Sequence, residues 1–230
     1  METYIIDANN NIDGDLSFYN LTRNSNDFSM LPVFELDRIA QKIRNILKKH
    51  GSRKDIILNH RELQEAFFNP FKPQLKNAQV FLSHSHADRN KALEVKDYLE
   101  SKTKRKVFID SLFWDYKDDV LNKLAKHDDI SKIKDAFTLI LRESLQDMIE
   151  KCPYFVFLQS KNSVSNQGLS QITYSAWIYE ELKIAHSISA ISESRLIPMM
   201  ESMQVFHDVS PFLESFETIR LSELSRIINS

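Results

Sequence analysis

The chain has 230 residues, 27% of them charged, with a formal net charge of −2. That length allows one sizeable core, or a core with an extension, and the near-balanced charge argues against general attraction to nucleic acid or to an acidic membrane surface. With only three glycines, Gly14, Gly51 and Gly168, neither a P-loop nor a G-x-G-x-x-G turn can be built.

The single cysteine, Cys152, excludes an intramolecular disulfide and reads as an inert half-buried thiol beside the apolar run Tyr154 to Leu158. No basic segment followed by an apolar stretch marks a signal peptide, and no apolar run is long enough to span a bilayer. A cytoplasmic protein without membrane or nucleic-acid partners is the expectation. The basic cluster Lys102 to Lys106 reads as a solvated helix end.

Met1 to about Ser29 is rich in Asn, Asp and Ser without a period, which predicts loosely ordered or short docked pieces. Glu35 to His50 carries Leu36, Ile39, Ile43, Ile46 and Leu47 on one helical stripe, with Gly51 as the stop. Asp55 to Phe68 continues helically. Asn69-Pro70-Phe71-Lys72-Pro73 then reads as a linker, because proline cannot continue a helix. Residues 1–75 are therefore expected to form an N-terminal helical extension, and residues 76–230 a second domain.

From Ala78 strands alternate with helices. Val80 to Ser83, Lys106 to Asp110 and Tyr154 to Leu158 read as strands, as do Leu196 to Met199 and Thr218 to Leu221. Between them lie helical segments at Asp88 to Ser101, at Asp118 to Lys151 (broken near His127-Asp128-Asp129) and at Tyr174 to Ser187. Ser111 to Tyr116 reads as an aromatic loop, and Ser160 to Gln171 as a polar one. The alternation predicts an α/β fold with an open, parallel five-stranded sheet and helices on both faces. Ligands of such sheets bind beyond the carboxyl ends of the strands, here the loops beginning at Ser83, Asp110 and Gln159.

Two chemistries could use the first of these loops. His84-Ser85-His86-Ala87-Asp88 has the spacing of a zinc-binding loop of the metallo-β-lactamase type. The last position of that signature, however, is Arg89, whose guanidinium cannot ligate a metal. His50, His60, His127, His186 and His207 supply no second ligand cluster, so no metal is assigned. A phosphate-handling loop is the alternative. In the segment Ser175 to Lys183, Ile178, Leu182 and Ala185 form a core-facing stripe. Glu180 falls opposite it, toward solvent, and Glu181 lies at its edge one turn after Trp177.

Phe81-Leu82-Ser83-His84-Ser85 ending one strand, Val107-Phe108-Ile109-Asp110 in the next, Ser160-Lys161-Asn162-Ser163 after the third, and Ser175-x-Trp177-x-x-x-Glu181-Leu182 together resemble a TIR (Toll/interleukin-1 receptor) domain. The resemblance covers about Lys76 to Ser230 and is closest to the prokaryotic antiphage-defence type, such as the TIR subunit of Thoeris-like systems. It implies a flavodoxin-like TIR fold and cleavage of the nicotinamide–ribose bond of NAD, which is substrate and not cofactor. The family's glutamate, four residues after the tryptophan and before a leucine, is Glu181. A carboxylate there can stabilise an oxocarbenium-like ribose. Ser83, His84, Ser85 and Arg89 would receive the pyrophosphate through hydroxyls, helix-start amides and a guanidinium. Trp114, Tyr116 and Trp177 offer aromatic surface, and Asp110 stands at a strand end.

The resemblance further implies a homo-oligomer through TIR–TIR contacts, and a separate effector that senses a cyclic or conjugated ADP-ribose product unless NAD depletion is itself the output. Ile178 stands where the family has a cysteine, and the loop after the second strand lacks Arg-Asp-x-x-Pro-Gly. Plainer readings stay open. Trp177 as core with Glu181 paired to Lys183 or Lys161 at the surface is one. Phe113, Trp114 and Tyr116 as packing and Asp110 as a loop cap are others. At the level of function the alternatives are a non-catalytic TIR interaction module and, more distantly, a zinc hydrolase.

Overall fold

The computed structural model describes residues 1–9, 33–50, 60–68, 77–109, 111–126, 131–190 and 206–230. The strands are β1 (Glu2–Asp7), β2 (Ala78–His84), β3 (Lys106–Ile109), β4 (Tyr154–Gln159), β5 (Ser165–Gln167), β6 (Ser170–Thr173), β7 (His207–Asp208) and β8 (Glu217–Thr218). The α-helices are α1 (Val33–His50), α2 (His60–Phe68), α3 (Arg89–Thr103), α4 (Ser111–Ala125), α5 (Ser131–Lys151), α6 (Ala176–Ala190), α7 (Ser210–Leu213) and α8 (Leu221–Asn229), and a 3-10 turn spans His86–Asp88.

The chain is α/β. A five-stranded sheet runs in the order β3-β2-β4-β1-β8, and every pairing in it is parallel. Buried on both faces, its central strands read as continuous apolar runs: Val80-Phe81-Leu82 in β2 and Phe155-Val156-Phe157-Leu158 in β4 have almost no exposed surface. Register places Phe108 beside Phe81 and Phe81 beside Phe155. Their rings form a row, 5.7 and 5.6 Å between centroids, that ends on Phe216 at 5.8 Å. Such in-register aromatic neighbours lock a sheet against slippage.

β1 corrects the reading of the N-terminus. Glu2–Asp7 lies inside the sheet, registered with β4 from Glu2↔Tyr154 to Asp7↔Gln159, and buries Tyr4, Ile5 and Ile6. An apolar triplet needs no long period when its neighbours on both sides supply the ladder. Tyr4 donates to the Glu2 carboxylate at 2.5 Å; burial first, then that contact, raises its pKa. The strand expected at Leu196 to Met199 lies outside the described residues. The place beside β4 that a fourth strand of the flavodoxin-like order would take is held by β1.

Three further expectations change. Ser111 to Tyr116 opens helix α4 and is not a loop. Ser160 to Gln171 contains a hairpin, β5 to β6, turned at Gly168 with φ +63°. The last strand is only Glu217–Thr218, because α8 begins at Leu221, with the Arg220 N–H donating to Glu223 at 3.3 Å.

The chain divides into two compact units, each drawn from separate stretches of the chain, and one of the edges between them falls at Lys76/Asn77. One, holding the sheet, comprises Met1–Leu21, Asn77–Ser111 and Leu145–Ser230. The other, Thr22–Lys76 with Leu112–Ser144, is helical in its described part. Its core includes Ile39, Ile43 and Ile46 of α1, Leu63 of α2, Leu124 of α4 and Phe137 and Ile140 of α5. Within it Arg44 donates to the Lys123 carbonyl at 2.7 Å, and Lys123 pairs with Asp37 at 2.6 Å. The helices expected from Glu35 and from Asp55 are those of α1 and α2 where described. Among the described residues no helix is long and apolar enough to cross a membrane.

Two outcomes are expected. Ile6→Ala, at a fully buried position in β1, should cost about 2–5 kcal/mol in urea unfolding; an unchanged midpoint would place the strand outside the core. The Cys152 thiol, buried and pushed by that burial up to about 12, should react with a thiol reagent at pH 8 only after denaturation. Equal rates in native and unfolded protein would contradict its burial.

Candidate functional site

The carboxyl end of the parallel sheet is where a site is expected, and the change of direction lies between β2 and β4: β3 stands on the far side of β2, and β1 and β8 beyond β4. Two turns flank this point. β2 runs into the 3-10 turn His86–Asp88 and then α3, and β4 runs into the turn Ser160 to Ser163.

Alternation along β2 sorts its end residues by face. Ser83 stands two positions after Phe81, opposite Phe157 in the register, and so shares the face of the phenylalanine row. His84 belongs to the other face, with 2% of its surface exposed. Ser83 and His84 therefore do not line one wall, as the sequence reading had grouped them. His86 is exposed. Among the described residues no group of three or more His, Cys, Asp or Glu side chains is placed to hold a metal.

Helix α6 brings the second component. Ser175 caps it, accepting the Ile178 N–H at 3.3 Å, and Ile178, Leu182 and Ala185 form the buried stripe read from the sequence. Glu181 has no exposed surface, and Ser83 Oγ donates to its Oε2 at 2.5 Å. Glu181 is therefore not at the surface, where the reading that pairs it with Lys183 or Lys161 places it. Trp177, one turn earlier, is half-buried.

Glu180 departs from its expected solvent position, with 4% of its surface exposed. α6 packs on α7 and on β6 as well as on β1 and β2. Tyr179 stacks on His207 at 4.6 Å and lies 5.5 Å from Phe212. Burial, and then the Glu180 charge, raise the Tyr179 pKa.

A side-chain clamp crosses the direction change. Asp88 accepts from Ser160 Oγ with one oxygen and from Asn162 Nδ2, at 2.8 Å, with the other. Its own N–H donates to the Ser85 carbonyl at 2.8 Å. Ser163 Oγ accepts the Ser160 N–H at 2.8 Å and closes the turn. Lys91, in the first turn of α3, donates to the Ala8 carbonyl at 2.5 Å, and Ala8 N–H donates to Gln159 O at 2.8 Å. The ends of β2, β4 and β1 are thus fastened together. Sequence reasoning quoted Ser160, Asn162 and Ser163 and weighed Asp88 as a ligand without pairing them; a Ser-x-Asn-Ser run directly after a buried strand was the available signal.

Of the remaining sequence candidates, Ser85 is buried and Arg89 half-buried at the start of α3, beside Asp88. Asp110 lies outside the described residues. Trp114 and Tyr116 lie on α4, and their side chains are outside the described ones. No family model, curated protein or solved structure matches the chain.

The clamp predicts energetic coupling. Asp88→Ala and Ser160→Ala should each destabilise the protein, and the double variant should lose about 1–2 kcal/mol less than the sum. Additive losses in a denaturant-unfolding cycle would show that the two side chains act independently.

Proposed function

We propose that this chain is a TIR-type enzyme that cleaves the nicotinamide–ribose bond of NAD, with Glu181 as the carboxylate that meets the developing positive charge. The observation that carries the reading is the Ser83–Glu181 hydrogen bond. It joins the end of a parallel strand to the first turns of α6 at the edge where open α/β sheets bind ligands. This is also the placement that the resemblance of Ser83 and of the Trp177–Glu181 spacing implies.

The chemistry needs little else. When the bond breaks, its electron pair goes to the pyridinium ring, which leaves as neutral nicotinamide, so no general acid is required. The ribose C1′ becomes oxocarbenium-like, and a fixed carboxylate in a low-dielectric site stabilises that charge strongly. Water adding to C1′ gives ADP-ribose and releases one proton; a nucleophile within the molecule or on a second one gives a cyclic or conjugated product. Such a product suits a messenger read by a separate effector in antiviral defence, with NAD depletion as the other output.

Trp177 offers a half-buried indole face to the nicotinamide ring. Arg89, with the amides of the first turn of α3, offers a site for the pyrophosphate. Glu181 is covered in the single chain. Catalysis therefore requires the cleft to open, and assembly with further copies is the proposed trigger.

The same burial favours a second reading, a non-catalytic TIR interaction module in which the Ser83–Glu181 contact only holds α6 to the sheet. One experiment separates the two. NAD is incubated with the full chain at concentrations where light scattering shows assembly, and products are resolved by chromatography beside Glu181→Gln. The enzyme reading expects nicotinamide release by the wild type and a loss of about 100-fold or more in the variant, with both proteins folded by circular dichroism. Equal turnover in the two would exclude Glu181, and no turnover in the assembled wild type would favour the module.

A further inference from the structure

We infer that Ser83 is a positioning residue for Glu181 and not a contact for the substrate's phosphates; this rests on the enzyme reading above. Three observations converge. Ser83 has no exposed surface, as Glu181 has none, so the hydroxyl and the carboxylate are covered together. Its one proton is already given to Glu181 Oε2, 98 residues away in the chain. Its backbone is held in the sheet, since Ser83 is registered with Phe157 of β4 and directly follows Leu82, which pairs with Ile109 of β3.

The physical consequence follows from burial. A carboxylate side chain on a helix has three rotatable bonds, and burial alone does not select which way its oxygens face. A donor mounted on a rigid strand does. A hydroxyl–carboxylate bond is charge-assisted and stronger than a neutral one. It holds Oε2 toward the sheet and so fixes the rotation of the carboxylate. Misplacing a catalytic group by about 1 Å can cost about 100-fold in rate, so a hydroxyl that never touches substrate can still govern turnover. His84, the neighbouring residue, cannot substitute, because strand alternation turns it to the opposite face.

The test uses the full-length assembled protein with Ser83→Ala, Ser83→Thr, Glu181→Gln and the double variant Ser83→Ala/Glu181→Gln, assayed for nicotinamide release. A positioning role expects Ser83→Ala to lower kcat about 10- to 100-fold with KM changed less than about threefold. It expects Ser83→Thr, which keeps the hydroxyl, to recover most of that loss. It also expects the double variant to be no slower than Glu181→Gln alone, because the serine acts only through the carboxylate.

A rise in KM at unchanged kcat, or losses that multiply in the double variant, would overturn the inference and return Ser83 to the substrate wall while leaving the enzyme reading intact. Absence of turnover in the assembled wild type overturns the enzyme reading and this role with it. The serine–glutamate contact is then a structural one, visible as coupling between the same substitutions in thermal unfolding. Where Ser83→Thr fails to fold for lack of room, Ser83→Cys, close to serine in size with a weak donor, takes its place and should fall between wild type and Ser83→Ala.

Discussion

A carboxylate removed from water must recover in hydrogen bonds what it loses in hydration, or it will not stay charged. At Glu181 a share of that recovery comes from a hydroxyl fixed on the sheet, Ser83 at 2.5 Å. The contact spans two elements that are remote in sequence, and so it makes demands on both. β2 must hold its register, which the row Phe108, Phe81, Phe155 enforces. α6 must hold its rotation about its own axis, which the buried stripe Ile178, Leu182, Ala185 enforces together with the packing of α6 on α7 and β6. Slipping β2 by one residue would point His84 at α6 and remove the donor.

The clamp at Asp88 serves a different end. It ties loops, not elements, and one carboxylate does so because its two oxygens accept from two side chains at once. Together with Lys91 on the Ala8 carbonyl, it fastens the turns that follow β2 and β4 to the end of β1. This clamp and the Ser83–Glu181 contact are separate sets of bonds.

The central strands were legible in the sequence because burial on both faces writes an unbroken apolar run, as in Phe155-Val156-Phe157-Leu158. The stripe of α6 was legible because Ile178, Leu182 and Ala185 recur at helical spacing. β1 was not, since three apolar residues ahead of an Asn-rich stretch carry no period and depend on β4 and β8 for their partners. Glu180 was misplaced for a related reason. A helical wheel assigns the side opposite the core stripe to solvent, and only the tertiary structure shows Glu180 buried there. Ser111 to Tyr116 looked like a loop because aromatic residues have modest helix propensity, yet their backbone begins α4. Glu181 was singled out by its spacing from Trp177, but its contact with Ser83 could not be read, because no local pattern links positions 98 residues apart.

β1 carries the argument furthest. The order β3-β2-β4 is the 2-1-3 half of a doubly wound sheet, and the next place is filled from the start of the chain. Among the described residues β8 is joined to the sheet only through β1, by Tyr4↔Glu217 and Ile5↔Thr218, with Ile219 N–H donating to Ile5 O at 2.9 Å. α6 rests on β1 as well as on β2. The strand that supports the helix of Glu181 is therefore the first element of the chain, outside the stretch from Lys76 that carries the motifs. A fragment cut at the motif boundary would keep Ser83, Trp177 and Glu181 in sequence and lose the strand on which their geometry depends, so the motifs alone do not define the working unit.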